Sequence, residues 1–199
     1  MRVLIAMLVW AAAIAGGVGV SSVVADSIHT KAATASIDVS SITATGSRSL
    51  FRTANFTRVL ATATTKLGAD AQVDSFTLYP GYLSVDAIKG STDMNLYVST
   101  TGTVDLTDSS ATPSGDKLFP LSDVSSSFPA TFSQRITSLA HAPASELHYM
   151  IVEVDPETKR LQWYAYPVTG SSVEYFQMNG PHGRLFEEFP TSGLQPVKR

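Results

Sequence analysis

The sequence predicts an α+β protein made of two tandem repeats, each one helix packed on a three- to four-stranded antiparallel sheet, after an N-terminal hydrophobic export or anchor segment. Three observations carry this reading. An unbroken apolar run follows Arg2; two helix signals are each followed by four strand signals; and the apolar positions of the second set fall in the phase of the first.

Residues 3–15 are all apolar and run into Gly16, Gly17 and Gly19, with Val23-Val24-Ala25 fitting a small-residue cleavage site. Residues 1–25 therefore read as a signal peptide or, uncleaved, as a signal-anchor crossing the membrane through residues 3–25, since about 20 apolar residues suffice to span. Either way the expected location is extracytoplasmic, secreted or anchored. Residues 26–49 are rich in Ser, Thr and Ala and are expected to form a tether.

The first repeat is assigned to 50–109. Phe56, Val59, Leu60, Ala63 and Leu67 recur at helical spacing and stop at Gly68, which predicts a helix over 53–67. Strands are predicted at 72–79, 82–89, 93–99 and 103–107, separated by Pro80-Gly81, Gly90-Ser91 and Thr101-Gly102. After a linker at 110–118, the second repeat covers 119–189. Pro129 opens a helix carrying Phe132, Ile136 and Leu139, and strands follow at 146–154, 161–166, 173–178 and 184–189. Residues 190–199 form a polar tail.

Hairpin geometry gives the register. A two-residue turn at Gly90-Ser91 sets Ala87 opposite Met94, Val85 opposite Leu96 and Leu83 opposite Val98, an apolar face for the helix to cover. The same rule at Thr169-Gly170 pairs Trp163 with Phe176 and Leu161 with Met178. The other face of this second hairpin then pairs Gln162 with Gln177, Tyr164 with Tyr175 and Tyr166 with Val173.

The turn Val154-Asp155-Pro156-Glu157-Thr158-Lys159-Arg160-Leu161 resembles the aspartate-threonine turn of PepSY domains, exported bacterial modules of helix-plus-sheet form, with Lys159 where the family usually has glycine. This PepSY-like resemblance implies a regulatory or interaction module of the cell envelope and transfers no catalytic residue. The tandem plan is also similar to that of the β-lactamase inhibitory protein family, which relies on cysteines that this chain lacks.

The chemistry on offer is narrow. With no cysteine there is no disulfide, thiolate ligand, cysteine nucleophile or lipidation site. The net charge of −3 comes from scattered residues, so the concentrated positive field that nucleic acid needs is missing. Of the four histidines, His29 lies in the tether, His141 at a helix end, His148 within a strand and His182 in a turn; none has a nucleophile and an orienting acid at a familiar spacing. No Gly-x-Ser-x-Gly elbow occurs, and Gly16-Gly17-Val18-Gly19 belongs to the apolar leader. Glu187 and Glu188 are adjacent on a strand and point apart. Asn55-Phe56-Thr57 matches a glycosylation sequon at a helix start. The expectation is a non-enzymatic module without cofactor or metal, whose partner is a protein, peptide or envelope component, with an envelope-acting hydrolase as the alternative. The expected contact residues are Gln162, Tyr164, Tyr166, Tyr175 and Gln177, because tyrosine offers large contact area and a polar tip at little rotamer cost; the alternative is that these rings pack against the first repeat or against residues 120–127.

Overall fold

The computed structural model describes residues 38–110, 118–140, 142–168, 171–179, 186–190 and 197–198. The expected export segment, most of the linker, and His29, His141 and His182 lie outside the described residues. The class is α+β, with helices on a fully antiparallel sheet.

Helix α1 runs Thr53–Leu67 and buries Phe56, Val59, Leu60, Ala63 and Leu67, the stripe its periodicity marks. Gly68, at φ 91°, ends it and donates its N–H to the Thr64 carbonyl at 2.9 Å. Strands β1 (Gln72–Leu78), β2 (Tyr82–Lys89), β3 (Thr92–Ser99) and β4 (Val104–Ser110) follow as a meander. In the β2–β3 hairpin Ala87 faces Met94, Val85 faces Leu96 and Leu83 faces Val98, as the turn at Gly90-Ser91 requires.

A short β5 (Phe119–Pro120) pairs with the start of β1. Helix α2 (Phe128–Arg135), with proline in its first turn, continues as a π-helical segment over Ile136–Ala140. It buries Phe128, Phe132 and Ile136 and leaves Leu139 half-buried. Strands β6 (Leu147–Val154), β7 (Leu161–Pro167), β8 (Val173–Asn179) and β9 (Phe186–Pro190) complete a second meander, and β10 (Val197–Lys198) pairs with β9.

Instead of each meander closing its own sheet, β1 pairs with β6, Phe76 opposite Val152, so that one ten-stranded sheet runs β10-β9-β8-β7-β6-β1-β2-β3-β4 with β5 beside β1. One face carries the core. Phe56 of α1 meets Phe76 of β1 edge-on at 6.2 Å, Phe76 meets Trp163 of β7 at 6.0 Å, and Trp163 stacks on Phe128 of α2 at 4.7 Å. This line of buried rings ties both helices to both meanders.

Two expectations need correction. Residues 38–49 were expected to continue the tether, yet Ile42, Ala44 and Ser49 are buried, as are the adjoining Leu50 and Phe51, and the Leu50 N–H bonds the Pro80 carbonyl at 2.7 Å. The segment packs because its few apolar residues cover the end of the β1–β2 hairpin, where the Val39 carbonyl sits so close to Gly81 that a Cβ there would lie 2.2 Å away. In the β7–β8 hairpin the register is offset by two residues: Trp163 faces Met178, Tyr164 faces Gln177, Gln162 faces Asn179 and Ala165 faces Phe176. Strand β7 continues to Pro167, and Val168 sends its N–H to the Glu146 carbonyl at 2.7 Å, so the chain follows β6 beyond the point where a two-residue turn would leave it. A two-residue offset preserves the face of the paired side chains, and Trp163 remains in the core; Val173, expected outward opposite Tyr166, instead packs against the core, because β8 is irregular between Val173 and Tyr175.

Candidate functional site

Alternation along the strands puts every residue opposite an inward-facing neighbour on the helix-covered side and its sequence neighbours on the other. On that second, outward face lie Tyr79, just beyond β1, Tyr82 of β2, Tyr97 of β3, Tyr149 of β6, Tyr164 and Tyr166 of β7 and Tyr175 of β8. These account for all 7 tyrosines of the chain.

They are not scattered over the face. Tyr97 meets Tyr82 at 5.0 Å, Tyr82 stacks on Tyr79 at 4.4 Å, and Tyr79 reaches Tyr149 at 5.4 Å across the β1–β6 seam. Tyr149 stacks on Tyr166 at 4.7 Å, Tyr166 meets Tyr175 at 5.8 Å, and Tyr175 stacks on Phe189 of β9 at 4.3 Å. Tyr164 joins from one row below, edge-on to Tyr175 at 5.8 Å. The result is a continuous stripe running across the strands. Each of these rings is half-buried, because its sides are covered by the next ring while its outer surface is not.

This crowding changes the phenols. Burial pushes the Tyr97 hydroxyl up to about 12. Burial, and then neighbouring hydroxyls and carboxylates, also raises Tyr82, Tyr164 and Tyr166, and to a lesser degree Tyr149 and Tyr175. These six hydroxyls thus stay protonated, as neutral hydrogen-bonding groups, at any physiological pH.

Of the residues expected to make contact, Tyr164, Tyr166 and Tyr175 lie in the stripe or against it. Gln177 is half-buried and near Asn179, to which its amide nitrogen donates at 3.5 Å. Gln162 is buried and spoken for: its amide nitrogen donates to the Asp155 carboxylate and its oxygen accepts the Tyr164 hydroxyl at 2.6 Å. It braces Tyr164 instead of offering its own amide. Asp155 in turn accepts the N–H groups of Glu157 at 2.7 Å and Thr158 at 2.8 Å, which hold its carboxyl below the usual range.

The first hairpin, which contributes none of the expected contact residues, supplies Tyr82 and Tyr97 to the stripe. His148 is exposed and sets its ring edge-on to Tyr79 and Tyr149, at 5.7 and 5.3 Å. Among the described residues no group of three His, Asp or Glu side chains is arranged to hold a metal ion, and no helix is long and apolar enough to cross a membrane. No known protein family, no curated protein and no solved structure matches the chain.

Proposed function

We propose that the protein is a non-enzymatic, extracytoplasmic binding or regulatory module, secreted or anchored by residues 1–25, that contacts a protein, peptide or envelope partner through the outward face of its sheet. The observation that carries this reading is the tyrosine stripe. A sheet face with no partner has no reason to gather every tyrosine of the chain in one stripe or against it, whereas a recognition surface gains from large rings that lose little rotamer freedom. We read the two meanders with their leading helices as tandem repeats of a PepSY-like unit, supported by their shared element order and by the left-handed Lys159 (φ 57°) at the glycine position of the family's turn.

A hydrolase would need a base and a nucleophile in one cleft. His148 is the described histidine, and the rings beside it are tyrosines on an open sheet face. Crosslinking on intact producing cells tests the binding reading. The wild-type chain should yield a discrete adduct that the Tyr164→Ala, Tyr175→Ala double variant loses while keeping its far-UV circular dichroism; an unchanged adduct pattern would remove the sheet face from the account.

A further inference from the structure

Resting on the sheet-face reading, we propose that the occupant of the tyrosine stripe is a basic, extended peptide segment of a partner protein, its Lys and Arg side chains lying over the rings and meeting the carboxylates beside them. The argument is one of charge. Among the strand residues of β1 to β4 and β6 to β8, the outward positions carry Asp74, Asp86, Asp93, Asp105 and Glu153 and not one Lys or Arg; at the far end of the sheet Lys198 of β10 takes the position opposite Glu187 of β9. Lys89, the basic residue within these strands, turns to the helix side, where it donates to the Leu67 carbonyl at 3.4 Å and pairs with Asp70 at 2.8 Å. Arg52 and Arg58 are bonded to carbonyls of Gly46, Thr45 and Thr100. Lys159 and Arg160 stand in the β6–β7 turn at the sheet's end.

The carboxylates lie within reach of the rings. Asp105 is directly opposite Tyr97, and Glu153 is near enough to Tyr164 and Tyr166 to hinder their ionisation. Asp86 is half-buried beside Asp93 and Asp74, and its carboxyl is raised by that burial and by those two like charges, with the Asn95 amide opposing. A cation lying on this face relieves the repulsion and has ring surface to cover, the combination that favours guanidinium and ammonium groups over anions. The size also fits. Seven strands at about 4.8 Å make the stripe roughly 29 Å long, the reach of about nine extended residues.

The test uses the full-length chain and two fluorescein-labelled nonapeptides, one alternating Arg with Ser and one with Glu in place of Arg, followed by fluorescence anisotropy. The Arg peptide should bind and the Glu peptide should not, with affinity falling about tenfold between roughly 50 and 500 mM salt as the face is screened. Asp86→Asn with Glu153→Gln should weaken binding by about fivefold or more, and Tyr149→Ala with Tyr166→Ala should abolish it, while Tyr149→Phe with Tyr166→Phe should retain most of it. Asp70→Asn, on the helix side, should change nothing. Equal binding of both peptides, an unaffected Asp86 and Glu153 variant, or a loss on Asp70→Asn as large as theirs would overturn the basic-peptide assignment. If capture on cells still depended on the tyrosines, the binding reading would survive that result. A dimer seen by sedimentation that dissociates in the Tyr149, Tyr166 alanine variant, with no peptide bound, would name a second copy as the occupant and overturn the assignment too.

Discussion

Replacing Trp163 by Ala should destabilise the protein by about 4–5 kcal/mol. Trp163 is 1 % exposed, its ring centroid 6.0 Å from that of Phe76 and 4.7 Å from that of Phe128, so it joins α2 directly, and α1 by way of Phe76, to the middle of the sheet. Beyond Cβ the indole covers on the order of 200 Å², which at about 25 cal/mol per Å² amounts to ~5 kcal/mol. Large-to-small replacements of buried aromatics cost about 3–5 kcal/mol, so partial collapse of the cavity brings the two figures together. Urea unfolding followed by far-UV circular dichroism measures it; with a slope of about 2 kcal/mol per M the midpoint should drop by roughly 2 M. Leu106→Ala, on edge strand β4 and 38 % exposed, is the control and should cost no more than about 0.5 kcal/mol. A loss below about 1 kcal/mol at Trp163 would refute the ring-to-ring core.

The stripe makes the fold alkali-sensitive. In the unfolded chain tyrosine ionises near 10.0, whereas several native hydroxyls are held above that, so their contribution is complete below pH 10 and is lost as pH rises beyond it. Absorbance at 295 nm should rise together with loss of circular dichroism, and tyrosinate forming earlier in a folded chain would contradict the packing. Asp86 works in the opposite sense to an ion-paired acid: its native carboxyl is raised above 3.8, so the charged form costs stability at neutral pH. Asp86→Asn should therefore raise the urea midpoint at pH 7, the gain shrinking as pH falls through the raised pKa, and an equal gain at all pH values would exclude charge as its cause. Lys159→Gly should stabilise by about 1 kcal/mol, since a left-handed backbone is costly for a side-chain-bearing residue, as thermal unfolding can show.

Local signals were legible wherever one strand neighbours the next through a short turn. The α1 boundaries follow from the spacing of Phe56 to Leu67 and the stop at Gly68, and the β2–β3 register follows from Gly90-Ser91. Where the connection is longer, composition misleads. Thr169-Gly170 has the look of a tight turn, but residues 168–172 separate β7 from β8, and the extra length moves the pairing by two. Part of the stripe was readable for the same reason: Tyr164, Tyr166 and Tyr175 share a face by alternation along adjacent strands. Tyr79 and Tyr149 come together only through the β1–β6 pairing, which links segments with a helix and several strands between them and leaves no turn to announce it. Residues 38–49 look like a tether because Ser and Thr dominate; what fixes them is the burial of Ile42 and Ala44 together with the adjoining Leu50 and Phe51, which follows no helical or strand period.

The stripe as a contact surface is tested most directly by a photocrosslinking amino acid placed in turn at Tyr149, at Tyr166 and, as a control, at Thr65, which is exposed on α1. Illumination of intact producing cells should give an adduct of one mass from the two stripe positions and none from Thr65. An adduct from Thr65 of equal yield, or none from either tyrosine position in a folded protein, would contradict it.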